Sequence, residues 1–305
     1  MNNRFSPSIM TAATLLCVIG LESGLAVATN KAPAATASSS SVWSPKKLAD
    51  GQPDLQGFWR TEHIGTYSLN NPRQGQDGAP DRSGDRAGLP PVKGADGVAV
   101  AKTRKPSRII DPADGQVPYL PWGRAHQQDL YLNFANPKLP QYVETQVRCF
   151  PSGVARQQWW NELEIRQYPG VVMLISYASN RLIYLDNRPH IPENIKLFMS
   201  DSRGHWEGNT LVVDVTNSNA KHRLSYEGDF STDKVHITER FKFLDQNTYQ
   251  YEATFDDPSV YTQPWTVSSR QDRVHKDDPA WEWYEYACHE GERNLDNYIP
   301  VEEPN

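Results

Sequence analysis

Hydrophobic and polar residues alternate along much of the chain after residue 160. The alternation repeats every two residues, as in a β-strand with one buried face. Turn residues separate the alternating runs, for example Pro169-Gly170 and Asp256-Asp257-Pro258. The runs predict seven strands, at residues 162–168, 171–178, 181–186, 210–216, 234–244, 248–256 and 263–269. Many short strands without intervening helices predict an all-β fold, either an antiparallel, lipocalin-like β-barrel or a β-sandwich.

The first part of the chain has a different composition. Residues 29–49 are rich in Ala and Ser and predict a flexible linker, whereas residues 50–116 are rich in Gly and Pro and predict an extended, wrapping arm. Residues 123–135 are the best candidate for a short helix, which Asn136-Pro137 would end. Residues 201–206 are rich in Gly and charge and predict a turn before the strand at 210–216. We expect one β-rich domain over residues 117–305.

The N-terminus has the pattern of a secretory signal peptide. Arg4 precedes a mostly apolar stretch at residues 8–20, and Ala26-Val27-Ala28 matches the small-x-small cleavage pattern. That stretch is too short for a membrane-spanning helix, and no later stretch is long and apolar enough. We expect residues 1–28 to be a cleaved signal peptide and the mature protein to be periplasmic or secreted, without a transmembrane segment.

The charge balance indicates the kind of partner. The formal net charge is -6, and the chain contains no long run of Lys or Arg. Both features argue against nucleic acid as the partner. A small-molecule ligand or substrate is therefore the expected partner, and the sequence makes no prediction of the oligomeric state.

The cysteines predict a disulfide. Of the three in the chain, Cys17 lies in the predicted signal peptide, which leaves Cys149 and Cys288 as an even pair in an oxidising compartment. A free catalytic or metal-binding thiol is the alternative, but no Cys-x-x-Cys or His-rich spacing accompanies either residue. The chain also lacks the spacings of metal sites, phosphate loops, nucleophile elbows and dinucleotide-binding turns, so we expect no metal and no cofactor. A metal site without such local spacing is the alternative, with candidate ligands His190, His205, His289, Asp214 and Glu290.

Strand periodicity singles out one glutamate. In the run 234–244, Glu239 lies on the apolar face together with four hydrophobic residues, and that face is expected to point inward. Burial of an unpaired carboxyl raises its pKa toward a range that is useful for acid–base chemistry. The alternative interpretation is a structural ion pair with Arg181 or Arg188.

A second carboxylate lies in the neighbouring predicted strand. In the run 210–216, Asp214 lies on the face opposite Leu211, Val213 and Val215. It faces solvent, unless its side of the strand lines a barrel lumen. In that case Asp214 and Glu239 would converge, and two carboxyls in different environments could divide the acid and base roles.

Three histidines are further candidates for chemistry. His289 follows Cys288, whose disulfide would hold the imidazole in one orientation for proton transfer, although a surface His beside a glycine turn is the alternative. His190 follows a strand on a loop, where functional residues often lie. His205 lies in the predicted turn at 201–206.

Aromatic residues are more numerous than a core of this size requires. A pocket lined by such rings, with a few polar groups, suits a flat apolar or phenolic ligand, or a sugar. The rings assigned to ligand contact are Trp206, Trp265 and Tyr261. The alternative is that the long arm packs on these rings.

Together these residues predict an exported enzyme that acts on a small aromatic or cyclic molecule by cofactor-free acid–base chemistry, such as elimination, isomerisation or hydrolysis. The proton-transfer residues would be Glu239, Asp214 and His289. The substrate-orienting residues would be His190, Arg181 and Arg188. Two alternatives stay open: a lipocalin-like binding protein without turnover, and an interaction module of the cell envelope that uses its Gly/Pro-rich arm.

Several motifs resemble those of a family of uncharacterised exported bacterial proteins. They cover most of the mature chain and include PDLQGFW at 53–59, PYLPW at 118–122, DSRGHWEGNTLVVDVTN at 201–217, YTQPWT at 261–266 and EYACHEG at 285–291. The resemblance implies a secreted, β-rich fold and no settled activity. The chain departs from the family at His205, Asn209 and residues 176–179, where members often have a basic residue, Asp, and acidic or His residues. Gly57-Phe58-Trp59 also resembles the Gly-x-Trp at the start of lipocalin-like barrels.

Overall fold

One β-sheet accounts for most of the regular structure. The computed structural model describes residues 43–61, 69, 107–134, 137–160, 162–177, 179–226, 228–278, 280–283 and 287–288. Within them lie ten strands: β1 (Gly57–Thr61), β2 (Ile109–Asp111), β3 (Glu162–Tyr168), β4 (Val171–Ser176), β5 (Ser179–Tyr184), β6 (Asp201–Glu207), β7 (Thr210–Thr216), β8 (His236–Asp245), β9 (Thr248–Asp256) and β10 (Trp265–Val274). The helices of this part are α1 (Pro121–Phe134), α2 (Gln157–Trp160) and a 3-10 turn at Pro140–Tyr142.

Nine of these strands close into a barrel. The sheet order is β1-β3-β4-β5-β6-β7-β8-β9-β10, and β1 pairs with β10 to complete the ring. The tenth strand, β2, pairs with the first half of β10, at Thr266 and Val267, whereas β1 pairs with its second half. Neighbouring strands are antiparallel except β5 and β6, whose parallel register joins Tyr184 to Arg203. The barrel is therefore mixed, with its weakest seam between β5 and β6.

The prediction of an all-β barrel with one short helix is confirmed. Each of the seven predicted strands is present, mostly with shifts of two residues or fewer at its ends, although β10 extends five residues beyond its predicted end; α1 covers most of the predicted helix. The predicted turn at 201–206 is wrong, because these residues belong to β6. Both ends of the predicted arm contribute strands to the sheet, β1 and β2. Of residues 62–106, the structure describes Leu69.

The strand β6 has a period of two that its composition conceals. Its charged residues point outward, while Ser202, Gly204 and Trp206 point toward the interior. A Cβ atom on Gly204 would lie 2.7 Å from Ile183 Cγ2 and 2.8 Å from Leu185 Cδ2. The glycine is therefore needed for close packing within the barrel and does not indicate a turn.

This packing makes Gly204 sensitive to enlargement. We expect Gly204→Val to lower the free energy of unfolding by about 1–3 kcal/mol, because the added methyl groups overlap the side chains of β5 and its following loop. Urea unfolding of the variant measures the change. The matched control is His205→Val, one position along the same strand, where the side chain points to solvent and a smaller change is expected. Equal stability of the two variants would contradict this account of Gly204.

Large side chains on the inward faces of the strands fill the described interior. Trp59 and Tyr249 are fully buried with ring centroids 4.8 Å apart and packed edge to face. Phe255 and Trp265 stack at 4.5 Å. Burial of each side chain of this size contributes about 1.5–3 kcal/mol. The barrel is held by a packed core, to which both its first and its last strand contribute.

Helix α2 packs against the barrel strands and is held by polar side chains. The Gln157 side chain donates to Ser176 Oγ and to the Ser179 carbonyl, each at 3.1 Å. The Tyr249 hydroxyl donates to the side-chain oxygen of Gln158 at 3.0 Å. These bonds satisfy buried polar groups that would otherwise oppose folding.

The predicted disulfide is present. Cys149 and Cys288 are joined with their Cα atoms 5.7 Å apart and 139 positions apart in sequence. The bond fastens the last described residues to the segment that precedes α2. Among the described residues, no helix is both long and apolar enough to cross a membrane.

Candidate functional site

The predicted carboxylate of the interior is paired. Glu239 is fully buried in the barrel and accepts hydrogen bonds from both terminal nitrogens of Arg181, one of them at 2.9 Å. Arg181 also donates its Nε to Ser202 Oγ at 2.9 Å. The ion pair with Arg181, which the sequence offered as an alternative to catalysis, is therefore present in the structure.

The tyrosine beside this pair completes its hydrogen bonding. The Tyr251 hydroxyl donates to Glu239 Oε1 at 2.7 Å. Burial, and then the adjacent negative charge of Glu239, raise the pKa of Tyr251 well above its ordinary value, so the phenol stays protonated. The carboxylate thus has three donors from two buried side chains, an arrangement that favours a structural role over proton transfer.

Asp214 does not converge with Glu239. In the register of β7 and β8, Val213 lies opposite Glu239, and Asp214 lies opposite Thr238. Successive residues of a strand point to opposite faces of the sheet. Asp214 therefore lies on the outer face of the barrel. The alternation in sequence had already placed it on the side of its strand that does not carry Leu211, Val213 and Val215.

On that outer face Asp214 belongs to a chain of hydrogen-bonded acids and imidazoles. His190 Nδ1 lies 2.6 Å from Asp201 Oδ2, and His190 Nε2 lies 2.8 Å from Asp214 Oδ2. The other oxygen of Asp214 bonds to His236 Nε2. We call the series Asp201–His190–Asp214–His236 the outer relay.

The strands dictate how the outer relay is assembled. Asp201 begins β6, and Asp214 lies on β7 next to it. His236 begins β8, two residues before the partner of Asp214, which makes the two side chains diagonal neighbours on one face. His190 comes from the loop after β5. The Asn217 side chain holds that loop by donating to the carbonyls of residues 192 and 195, each at 2.9 Å.

Hydrogen-bond donors surround both carboxylates of the relay. Partial burial raises the pKa of Asp214, but the bonds from His236 and His190 outweigh it, and the net shift is downward. At the other end, Arg203 pairs with Asp201 at 2.8 Å. Both ring nitrogens of His190 face carboxylates, so both bonds can form together only when the ring carries both protons. The last imidazole, that of His236, is nearly half exposed.

An open cleft lies at the same end of the barrel. It has a volume of about 550 Å³, and its walls come from residues 219–221, after β7, from residues 230–233, before β8, and from Lys196. His236 is the third residue after Asp233 of the cleft wall. The members of the outer relay are not among the residues that line the cleft.

The remaining predicted site residues are dispersed. Arg188 is exposed, pairs with Asp186 and lies over the ring of Tyr184. His205, also exposed, lies 3.3 Å from Glu207. His289 lies outside the described residues. None of the three can be placed in the outer relay.

The three aromatic residues assigned to ligand contact pack inside the fold. Trp265 is fully buried between Phe255 and Tyr261. The Tyr261 hydroxyl donates to the Phe230 carbonyl at 2.5 Å, and burial raises its pKa well above the ordinary value. Trp206 is partly buried against the core. These rings pack within the fold, and Trp206 also contacts the predicted arm, donating its Nε1 to Gln52 Oε1 at 3.5 Å.

Two members of the outer relay, Asp201 and His236, were missed from the sequence. The alternation of β8 placed His236 on the face opposite Glu239, and the β7–β8 register would have placed it beside Asp214. Asp201 was concealed by the predicted turn. The information that brings these residues together is the register between neighbouring strands. The alternation within a single strand does not reveal that register.

Within the described ranges, no group of three or more His, Cys, Asp or Glu side chains is arranged to hold a metal ion. The outer relay is an arrangement of ionisable groups in this part of the chain that are joined by hydrogen bonds. Comparisons of the sequence and structure with protein-family models, curated proteins and solved structures find no match.

Proposed function

We propose that the protein is an exported enzyme that transfers protons to and from a small molecule through the outer relay, without a cofactor. The observation that carries the proposal is the continuous chain of hydrogen bonds from Asp201 to the exposed imidazole of His236. A histidine that donates one ring proton to a carboxylate has a more basic second nitrogen, as general-base catalysis requires.

Each member of the relay has a defined part. His236 donates its Nε2 proton to Asp214, which leaves Nδ1 free to accept a proton from a substrate in the neutral ring. Asp214 fixes the tautomer and stabilises the imidazolium that forms. His190 and Asp201 position Asp214. Elimination, isomerisation or hydrolysis of a small aromatic or cyclic molecule would each use one such base.

The two alternatives drawn from the sequence have less support. A carrier of the lipocalin kind would hold its ligand inside the barrel, where the described inward positions carry packed aromatic side chains and the Arg181–Glu239 pair. An interaction module would use the Gly/Pro-rich arm, whose two described ends are strands of the sheet. Neither alternative accounts for a relay with an exposed imidazole.

The proposal predicts how turnover depends on His236. We expect the protein to convert members of a panel of small aromatic and cyclic esters, ethers and β-substituted ketones. His236→Asn is expected to lower kcat/KM by about 10²–10⁴-fold, and Asp214→Asn to change the pH profile by removing the group that fixes the tautomer. Steady-state rates between pH 5 and 9 measure both.

A matched control is available on the same face of the barrel. His205→Asn removes another exposed imidazole that also faces a carboxylate, and we expect it to keep wild-type rates. Absence of turnover across the panel, or equal rates in the His236 and His205 variants, would contradict the proposal.

A further inference from the structure

A second group of ionisable side chains, most of them buried, lies around the segment that precedes α2. It contains Glu144, Arg148, Arg156, His222 and Arg223, and we call it the arginine cluster. Arg156 is fully buried, and Glu144 and Arg223 are nearly so. Three guanidinium groups thus accompany one carboxylate. Because an unpaired buried charge is costly, the balance of this cluster requires an explanation.

The carboxylate is already fully engaged. Glu144 Oε1 lies 2.5 Å from a terminal nitrogen of Arg156 and accepts the Thr145 hydroxyl at 3.0 Å. Glu144 Oε2 accepts the backbone N–H of Gln146 at 2.8 Å. Although burial raises the pKa of Glu144, Arg156 and these hydrogen bonds bring it below its ordinary value. Glu144 therefore balances the charge of Arg156.

The other two guanidinium groups contact no carboxylate within the described part of the chain. Arg223 donates to the backbone carbonyls of Gln141 and Tyr142. Burial, opposed by Glu144 and reinforced by the two other arginines, lowers its pKa to about 10. Arg148 is half-buried over the ring of Phe150, and its Nε is buried without a hydrogen-bond partner. Among the described residues, the cluster therefore has two more positive groups than carboxylates.

Two uncharged side chains beside these arginines contain nitrogens without a hydrogen-bond partner among the described residues. Gln146 is buried, and its Nε2, a donor, makes no hydrogen bond to the described residues. His222 is 3% exposed, and neither of its ring nitrogens has a partner there. Burial, and then the charge of Arg156, lower the pKa of His222 to about 4, so the ring is neutral near pH 7 and carries one N–H. Buried donors without acceptors are uncommon in folded proteins.

The space around His222 is defined by a glycine. A Cβ atom on Gly153 would lie 2.3 Å from His222 Cδ2, so the backbone of Gly153 is in close contact with the ring. The chain neighbour of His222, Lys221, lines the open cleft together with Lys196. His222 of the arginine cluster thus directly follows a residue of the cleft wall. That wall carries two further positive charges, those of Lys196 and Lys221.

We propose that the arginine cluster binds an oxyanion, the carboxylate, sulfate or phosphate group of a small molecule. The anion supplies the missing counter-charge for Arg148 and Arg223 and the acceptors for the donors of Gln146 and His222. Planar guanidinium groups suit such ligands because they present paired donors to two oxygens. The site is separate from the outer relay, and its ability to bind does not depend on catalysis by His236.

Thermal unfolding of the full mature chain tests the proposal. Acetate, sulfate, phosphate and citrate are each compared with sodium chloride at the same ionic strength. A ligand of the native state at ten times its Kd is expected to raise Tm by about 3–6 °C. Arg148→Gln is expected to abolish the rise in Tm. Arg223→Gln is expected to weaken the apparent affinity for the anion at least tenfold. The control is Arg166→Gln, because Arg166 is exposed on β3 and paired with Glu164; it should keep the full rise.

A second measurement covers the case in which a variant folds poorly. In the wild-type protein, addition of the preferred anion is expected to shift the ring resonances of His222 in nitrogen–proton NMR spectra, in proportion to occupancy. Equal effects of chloride and the oxyanions, or the same Tm rise in Arg148→Gln and wild type, would overturn the proposal. The double variant Glu290→Gln/Glu292→Gln tests whether the chain's own carboxylates are the counter-ions of the cluster. If added anions bind only to this variant, the proposal would also be overturned.

Discussion

Glu239→Gln is expected to lower the free energy of unfolding by about 3–5 kcal/mol, although the two side chains have nearly the same shape. The substitution removes the charge that balances Arg181, whose side chain is only 1% exposed. The guanidinium then stays buried without a counter-ion, and Tyr251 loses a charged acceptor. Urea unfolding followed by tryptophan fluorescence measures the difference.

Two further variants separate charge balance from the loss of a side chain. Arg181→Met/Glu239→Gln removes both charges and is expected to recover much of the stability that Glu239→Gln loses. Arg240→Gln changes the next residue of β8, which faces outward in an exposed pair with Glu207, and little change is expected. If Glu239→Gln and Arg240→Gln had the same free energy of unfolding, the Arg181–Glu239 pair would not contribute to the stability of the barrel.

Loss of the disulfide is expected to have a similar effect. Cys149→Ala/Cys288→Ala should lower the free energy of unfolding by about 2–5 kcal/mol. The reason is that the bond closes a loop of 139 residues and restricts the unfolded chain. Guanidinium unfolding under oxidising conditions compares the variant with the wild type.

Reduction provides the control for this second variant. Dithiothreitol should lower the stability of the wild type to that of the double alanine variant and should leave the variant unchanged. A variant that unfolds at the wild-type guanidinium concentration would show that the bond adds nothing to stability. Mass mapping without reduction, which should find Cys149 and Cys288 in one linked peptide, confirms the pairing in the purified protein.

The barrel could be predicted because most of its strands have one apolar face. The run 248–256 illustrates this, since its inward residues are all apolar or aromatic and its bounds agree with β9. The strand β6 could not be recognised in the same way, because an inward glycine and alternating outward charges resemble a turn. Closure by β1 and β10 also had no local signal, since it joins residues from opposite ends of the domain.

The candidate site was harder to predict than the fold. The inward position of Glu239 followed from the period of its strand, but its partner Arg181 was one of two possible arginines. The relay from Asp201 to His236 depends on the register of three strands and on a loop that returns His190 to them. A single sequence gives the face of each residue and leaves its neighbours across the sheet undetermined.

The pairing of β1 with β10 has a consequence for how the protein folds. Most other strand pairs of the barrel are hairpins between neighbours in sequence and can form early, since short loops close at little entropic cost. The last seam joins the beginning of the domain to its end and must wait until both are available. Because this pairing spans the largest sequence separation of any strand pair in the barrel, we expect it to carry the largest loop-closure cost.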